Sequence, residues 1–306
     1  MRTGVIKTIH DYMSENENSF FLTGDLGYCA LEEIQNDFPK RFLNVGIAEQ
    51  NMIGIATGLA LSGKKVFVYS IIPFITMRCY EQIRNDICYH NADVTILGVG
   101  SGLSYGILSS THFALEDIAI LRPLPNMRIF SPVDEKEACE GLKSYFETTS
   151  PLYVRIGKKE EPIINSYSYK FKQDKVVELR PGSDVVMFST GTITEEVLKA
   201  ADKLATHGIS TQIININSVK PLDRDSIIKS IKNKKLAVSV EEHYIIGGIG
   251  SAIAEIIAEE NLPTPLIRLG VKDEFMSQSG SQEYLRKLCL IDVLSIVEKT
   301  ISEMPQ

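Results

Sequence analysis

Short apolar runs alternate with longer amphipathic segments along the whole chain. Runs rich in β-branched and aromatic residues predict buried strands, and the apolar spacing between them is helical. The predicted strands are 19–24, 65–70, 93–100, 127–132 and 151–157 in the first half of the chain, and 183–190, 209–217, 235–243 and 264–270 in the second half. Because strands that alternate with helices form βαβ units, we expect the α/β class, with mostly parallel sheets flanked by helices.

The two halves of the chain are separated by a polar stretch without helical periodicity. We therefore predict two domains, 1–160 and 183–306, joined by a linker over 161–182. A length of 306 residues agrees with two domains. The helix predicted over 73–90 starts with Pro73, whose missing N–H costs nothing in a first turn.

Composition narrows the class of function. The net charge of −7 provides no basic surface for nucleic acid, which is therefore not an expected partner. The chain has neither a secretory signal pattern nor a long uncharged apolar run, which predicts a cytoplasmic protein that does not enter a membrane. The five cysteines form no CxxC pair and no cluster at zinc spacing, so we expect free thiols and no metal ligands among them.

Glu49 is the sharpest candidate for a functional side chain. It stands near the start of a helix predicted within RFLNVGIAEQNMIGIATGLALSG (41–63), whose apolar residues lie on more than one face and predict burial nearly all round. A carboxylate there is costly unless it is paired, hydrogen-bonded or protonated. The alternative is an acid that stabilises the helix dipole and still touches water. The spacing leaves both interpretations open.

Other polar residues follow predicted strands, where parallel sheets bind their ligands. Asp25 in TGDLGY can serve a site or a turn, and His112 lies after a loop rich in Gly and Ser that is suited to hold substrate groups. The run EEH (241–243) could be acid/base machinery, although interface or capping roles are favoured. GGIGSAIAE (247–255) lacks the third glycine of a dinucleotide motif, so tight packing of helix on strand is favoured there.

Four segments resemble, in order, the pyrimidine-binding and C-terminal domains of thiamine-diphosphate enzymes of the transketolase type. They are RFLNVGIAEQNMIGIATGLALSG, VFVYSIIPFITMRCYEQIRND, THFALEDIAILRPLPNMRIFSPVD and VEEHYIIGGIGSAIAE. The resemblance covers nearly the whole chain, and the pattern is most like the C-terminal subunit of a split, two-chain transketolase. It implies that a two-carbon ketol unit passes from a ketose or ketose phosphate donor to an aldehyde acceptor.

The resemblance implies a set of residues around the thiamine diphosphate. In this family the glutamate at the position of Glu49 hydrogen-bonds N1′ of the aminopyrimidine, and sharing a proton there favours the tautomer whose 4′ nitrogen can take the proton from C2 of the thiazolium. Phe74 falls where the family places an aromatic ring against the pyrimidine, and Ile71 matches a second wall position. Arg78 supports this wall, and Asp25 corresponds to an acid near the cofactor.

For the substrate, the resemblance implies one histidine and two arginines. His112 matches a histidine that contacts donor hydroxyls or the developing oxyanion. Arg155 matches a basic residue that binds substrate phosphate, and Arg2 is assigned a similar part, because a planar guanidinium suits phosphate oxygens.

Two departures from the family pattern bear on the substrate. The family's GEDGP before the TH pair reads GILSS here, with Leu108 in place of an acid that contacts a sugar hydroxyl. A second histidine expected at the start of this loop is replaced by Gly100 or a neighbour. We therefore hypothesise a specialised sugar pathway.

A partner chain is also implied. The family binds the diphosphate through Mg²⁺ on a separate domain that carries a GDG motif followed by an asparagine, and GDLG (24–27) is not that motif. We expect the Mg²⁺ ligands on the diphosphate-binding N-terminal subunit, in an α2β2 assembly with its sites at the interfaces.

Three alternatives remain open. The β subunit of a 2-oxoacid dehydrogenase E1 component has the same two domains, but EDIAILRPLPNM (116–127) is transketolase-like. Deoxyxylulose-phosphate synthases share much of the pattern. A non-catalytic scaffold subunit is disfavoured by the presence together of Glu49, Phe74 and His112.

Overall fold

Strands and helices alternate along the chain in the computed structural model, which describes residues 1–158, 161–164 and 170–305. The strands are β1 (Ser19–Thr23), β2 (Phe42–Asn44), β3 (Lys65–Ile71), β4 (Val94–Val99), β5 (Arg128–Phe130), β6 (Leu152–Ile156), β7 (Val177–Arg180), β8 (Val185–Ser189), β9 (Thr211–Asn215), β10 (Ser218–Lys220), β11 (Leu236–Tyr244) and β12 (Leu266–Val271). The α-helices are α1 (Arg2–Glu15), α2 (Glu32–Asp37), α3 (Glu49–Leu61), α4 (Ile72–Thr76), α5 (Tyr80–Gln82), α6 (Asp117–Leu121), α7 (Glu135–Phe146), α8 (Thr194–Thr206), α9 (Arg224–Ile231), α10 (Ile249–Glu259), α11 (Gln282–Leu288) and α12 (Val293–Glu303). Throughout these described ranges, no helix has the length and apolar character needed to cross a bilayer.

The strands form two mostly parallel sheets. Within the described residues, the first sheet has seven strands in the order β10-β5-β6-β4-β3-β1-β2, and the second has five in the order β12-β11-β8-β9-β7. Only the pairs β10–β5 and β7–β9 are antiparallel among these strands. The predicted α/β class, with two sheets flanked by helices, is confirmed.

The structure adds three short edge elements that the apolar pattern does not predict. These are β2, β7 and β10, each three or four residues long. Runs of this length are too short to establish a period of two, and no side chain of β7 is fully buried. Because β7 lies within 161–182, the end of the predicted linker is a strand of the second sheet. Residues 165–169 of that linker lie outside the described residues.

Both faces of the first sheet are covered by helices, which explains why its strands are apolar without interruption. Along β3, Val66 and Val68 face one core cluster, shared with α3 and α4, while Phe67 and Tyr69 face another, shared with α1 and α7. The end of β3 is therefore packed on both faces, and this packing fixes where the following helix, α4, begins.

The helix predicted over 73–90 is divided in the structure. Pro73 lies in the first turn of α4, as expected, but α4 ends at Thr76, and after α5 the segment Ile83–Cys88 is a π-helix. Insertions of this kind are common near functional sites because they redirect side chains. Arg78 lies between α4 and α5 and pairs with Glu49 at the start of α3.

Helix α3 is not buried all round, and that expectation is wrong for the single chain. Leu61 is 59% exposed. A Cβ at Gly54 or Gly58 would meet nothing within 4 Å among the described residues. One face of a strongly apolar helix is therefore open to another chain.

A buried charged cluster joins the two halves of the chain. Arg155 on β6 is 3% exposed, and its Nε donates to Asp117 Oδ2 at 2.7 Å while Nη2 donates to the carbonyls of Ala114 and Glu242 at 2.9 and 3.0 Å. The Tyr153 hydroxyl donates to the same Asp117 oxygen at 2.6 Å. Burial is the largest single effect and would lower the pKa of the Arg155 guanidinium, but the charge and hydrogen bond of Asp117, together with Tyr153 and Glu242, outweigh it, and the net shift is upward.

We expect Asp117→Asn to destabilise the protein strongly. The substitution removes the carboxylate that faces the buried Arg155, and breaking such a pair costs about 3–5 kcal/mol. The matched control is Asp202→Asn, because Asp202 pairs with Arg180 but is 67% exposed, and such surface pairs contribute about 0–1 kcal/mol. The measurement is the midpoint of urea unfolding followed by circular dichroism. Equal shifts in the two variants would contradict a structural role for the buried pair.

Candidate active site

The Glu49 carboxylate is buried at the first residue of α3. Its side chain is 2% exposed, and Oε2 accepts a hydrogen bond from Arg78 Nη1 at 2.7 Å. The positive end of the helix dipole lies beside it. Among the residues that the structure describes, none donates a hydrogen bond to Oε1. The carboxylate thus has a partner for one oxygen and an open acceptor at the other.

Arg78 and Phe74 extend the site away from Glu49. The Arg78 guanidinium carbon lies 4.8 Å from the centroid of the Phe74 ring, and the Phe74 ring meets the His112 ring edge to face at 5.2 Å. Ile71, the last residue of β3, is half-buried directly before α4. Contacts therefore link three predicted site residues, Arg78, Phe74 and His112, in a row that starts at Glu49.

His112 lies at the end of the loop 100–112, which follows β4. Its Nδ1 lies 2.9 Å from the Thr111 hydroxyl, and its ring lies 5.9 Å from the ring of Tyr105. Burial lowers the pKa of His112 from its ordinary value of 6.5, and the ammonium of Lys158 lowers it further. The neutral imidazole is therefore favoured near pH 7.

Two cations lie near Tyr105, whose ring also contacts His112. The Lys158 ammonium lies 4.3 Å from the centroid of the Tyr105 ring. Burial raises the pKa of Tyr105, and the charge of Arg2 opposes that shift. Burial raises the pKa of Tyr69 to about 12, and Arg2 opposes this shift as well. The predicted residue Arg2 therefore lies close to the loop of His112.

Arg155 does not join this group. Its guanidinium is enclosed by Asp117 and two backbone carbonyls, as described above, and it is almost inaccessible. The prediction that Arg155 binds substrate phosphate is not supported by this geometry. The cation that the strand does deliver to the site is Lys158, just beyond the end of β6.

Asp25 forms an exposed turn after β1. Its backbone has φ 55°, a conformation that aspartate tolerates better than most residues. Its N–H donates to Asn44 Oδ1 at 2.9 Å, and Asn44 Nδ2 donates to its carboxylate at 3.2 Å. The preceding residue, Gly24, lies against Glu49, since a Cβ there would be 3.6 Å from Glu49 Cγ. Asp25 thus makes a turn beside the site, and its role toward a cofactor stays a prediction.

The two departures in the His112 loop have structural counterparts. A side chain at Gly100 would displace the Tyr105 ring, because its Cβ would lie 2.0 Å from that ring. Ser109 stands where the family pattern GEDGP has glycine, and it keeps φ 61° and ψ −164°, a region that only glycine adopts without strain. Leu108 is 43% exposed beside it. The loop thus keeps a glycine-like shape while losing its acid.

The run 241–243 has structural roles. Glu241 accepts hydrogen bonds from the N–H groups of Ile249 and Gly250 at the start of α10, at 2.8 and 3.0 Å. His243 Nε2 accepts from the N–H of Ala119 at 3.2 Å. A Cβ at Gly250 would lie 2.5 Å from Ser239 Oγ. The interpretations of capping, interface contact and tight helix packing are therefore the ones the geometry supports.

The site contains an acceptor and an aromatic wall but no cluster of metal ligands. In the part of the chain that the structure describes, no three His, Cys, Asp or Glu side chains are placed to hold a metal ion. The open Oε1 of Glu49 and the ring of Phe74 fit an aminopyrimidine that offers a donor and a flat face. The residues present therefore fit the pyrimidine end of thiamine diphosphate.

Sequence reasoning missed Tyr105 and Lys158. Lys158 had a usable signal, because it directly follows a predicted parallel strand, where ligands bind. Tyr105 had none, since an aromatic residue in a loop of Gly and Ser can point anywhere.

Both halves of the chain are similar in sequence to known protein domains. A family model for the transketolase pyrimidine-binding domain matches residues 1–162, and a model for the transketolase C-terminal domain matches residues 174–296. The chain is 39% identical over 266 residues to a subunit of the apulose-4-phosphate transketolase of Actinobacillus succinogenes, and the match covers 87% of this chain and 86% of that protein. It is 32% identical over 288 residues to a 6-deoxy-6-sulfo-D-fructose transketolase subunit of a Clostridium species, with 94% and 89% covered.

One solved structure is similar over nearly the full length. It is described as a split gene transketolase in an inactive β4 tetramer, and it superimposes with a TM-score of 0.87 at 33% identity. The likeness covers 98% of this chain and 96% of that one.

We expect Lys158→Met to raise the pKa of His112. Loss of the ammonium removes one of the two causes that lower it, whereas burial persists, so the pKa should rise but stay below 6.5. The measurement is the NMR titration of the imidazole Cε1–H signals, with His112→Asn to assign the signal. Lys158→Arg is the matched control, because it keeps the charge and should keep the low pKa. If the pKa of His112 rose as much in Lys158→Arg, the cause would be altered packing and not the lost charge.

Proposed function

This chain belongs to the transketolase family, and from this premise we propose that it supplies the pyrimidine side of a thiamine-diphosphate site completed by a partner chain. The chain is a transketolase-like subunit of a split enzyme that transfers ketol groups. The observation that carries the proposal is Glu49, which is buried, is paired with Arg78 at one oxygen and accepts no hydrogen bond from the described residues at the other.

Thiamine diphosphate, when bound, supplies the nucleophilic carbon and the electron sink that ketol transfer requires. Glu49 would hold a proton at the pyrimidine ring nitrogen through Oε1, while Arg78 orients the carboxylate through Oε2. Phe74 and Ile71 would exclude water from one face of the ring. Their positions are fixed by packing at the end of β3.

His112 is the residue placed to act on substrate oxygens. Its lowered pKa leaves the imidazole neutral near pH 7, so it can donate a hydrogen bond to a developing oxyanion or exchange a proton with a hydroxyl. Its contacts with Phe74 and Tyr105 hold the ring between the two aromatic groups. Asp25 belongs to the same proposal as an acid near the cofactor.

We propose a sugar substrate with an anionic terminal group. Lys158 and Arg2 lie near Tyr105, and Lys158 also acts on His112, so a cation there suits phosphate or sulfonate oxygens of a bound sugar. The sugars that give the two relatives their names, apulose-4-phosphate and 6-deoxy-6-sulfo-D-fructose, each carry such a group. The apolar Leu108, where an acid is usual, favours a sugar that differs from the ordinary pentose phosphates near that position.

The partner is proposed to be a diphosphate-binding subunit that brings the Mg²⁺ ligands. The open face of α3, with Gly54, Gly58 and Leu61, is suited to close contact with a second chain, which favours an α2β2 assembly with two copies of each subunit. The five free cysteines favour a reducing compartment such as the cytoplasm.

Glu49→Gln should abolish most of the ketol transfer by the complete assembly. The amide cannot take the proton that the carboxylate holds, and loss of a general acid–base group lowers the rate by about 10²- to 10⁴-fold. The rate is measured with the partner subunit present, and size-exclusion chromatography checks that the assembly is intact. Glu81→Gln is the control, because Glu81 is an exposed acid on α5. Wild-type activity in Glu49→Gln would refute the mechanism and favour a scaffold role.

Binding of thiamine diphosphate and Mg²⁺ should require the partner. Calorimetry on this chain alone is expected to show no tight binding, because the described residues contain no metal cluster. The mixture with a chain that carries the diphosphate motif should bind the cofactor. Tight binding by this chain alone would mean that the division of the site between two subunits is wrong.

A further inference from the structure

The C-terminal half of the chain holds the loop 100–112 directly. The N–H of Leu103 donates to Glu242 Oε2 at 3.1 Å, and the N–H of Gly280 donates to the carbonyl of Gly106 at 3.2 Å. Glu242 lies on β11 of the second sheet and is 3% exposed. The loop that carries His112 is thus anchored to a different sheet from the one it leaves.

Two glycines let the loop reach these anchors. A Cβ at Gly102 would lie 2.2 Å from Glu242 Oε2, and a Cβ at Gly106 would lie 2.2 Å from the carbonyl oxygen of Gly280. Neither contact could be relieved without moving the loop or its anchor. These two close approaches therefore fix the distance between the loop and its anchors at Glu242 and Gly280.

The Glu242 side chain is itself firmly held. Gln282 Nε2 donates to both of its oxygens, at 2.9 and 3.1 Å, and Arg286 Nε donates to Oε1. Both donors come from α11, and Arg286 is 6% exposed. Apolar packing connects the same regions. One small core cluster contains residues from the loop, from the segment just after it and from the second half of the chain: Leu103, Phe113, Leu115, Val271, Met276 and Leu285.

We propose that Glu242 is a positioning residue for ketol transfer. A loop rich in Gly and Ser loses much conformational entropy when it is ordered, so it needs contacts from outside itself to hold one conformation. Glu242 supplies such a contact at Leu103, between β4 and the Tyr105–His112 part of the loop. Through this hydrogen bond the C-terminal domain determines the position of His112. The inference rests on the proposed function only in so far as His112 acts on the substrate.

The variant that tests this is Glu242→Gln. The glutamine carbonyl is expected to face the charged donor Arg286, so its NH₂ group faces the N–H of Leu103, donor against donor. Glu241→Gln is the matched control. Glu241 is the preceding residue and is 1% exposed, but its carboxylate accepts from the start of α10, and within the described part of the chain it makes no hydrogen bond to the loop.

The first measurement is hydrogen exchange of the whole chain by mass spectrometry. Glu242→Gln should speed amide exchange in peptides that cover 100–112, whereas Glu241→Gln should speed it in peptides that cover 247–256. Gln282→Ala gives a milder version of the same change and serves if Glu242→Gln does not fold. Unchanged exchange in 100–112 for both Glu242→Gln and Gln282→Ala would overturn the anchoring, whether or not the enzyme is active.

The second measurement is kinetics of the complete assembly. Misplacing a catalytic group by about 1 Å costs up to about 100-fold in rate, so we expect kcat/KM for the ketose to fall about 10- to 100-fold in Glu242→Gln. Glu241→Gln should lose thermal stability to a similar degree but keep its kcat/KM. Faster loop exchange without a kinetic loss, or an equal kinetic loss in the two variants, would overturn the positioning role. Activity retained in Glu49→Gln would instead overturn the proposed function and leave the exchange result standing.

Discussion

The buried guanidinium of Arg155 needs hydrogen-bond acceptors, and this need determines how the elements at the centre of the molecule are arranged. Arg155 lies on β6 of the first sheet, where Nε and Nη2 donate to the Asp117 carboxylate, the Ala114 carbonyl and the Glu242 carbonyl. Removing such a group from water is expensive, and only a complete set of partners offsets that cost. Each partner lies on a different element, so the requirement fixes α6, the end of the His112 loop and β11 relative to β6.

The basic side chains form two groups. Arg155 and Arg286 are buried and donate hydrogen bonds within the protein, whereas Arg78 and Lys158 remain at least partly accessible around Phe74 and Tyr105. Arg78 pairs with the Glu49 carboxylate, and Lys158 acts on the neutral imidazole of His112. In the proposed function, the reacting sugar carbon would lie near the proton-holding groups, and the sugar's anionic tail would lie near Lys158.

Much of the fold follows from the sequence because buried parallel strands are long, apolar and regularly spaced. The edge strands β7 and β10 could not be found in this way, since three or four residues on an edge show no clear period. At the site, burial predicted that Glu49 needs a partner, and Arg78 is that partner. The error at Arg155 has a plain cause: alternate residues of a strand point to opposite faces, and neither residue type nor family resemblance shows which face a charged residue will meet.

The edge strand β10 has a consequence for how the chain is made. Its residues 218–220 complete the first sheet by pairing with β5. They are synthesised only after β7, β8 and β9 of the second sheet. Until they emerge from the ribosome, the edge of β5 presents unpaired backbone groups, which are a template for wrong pairing. Exchange of the C-terminal half for another domain would therefore also remove an edge strand of the first sheet.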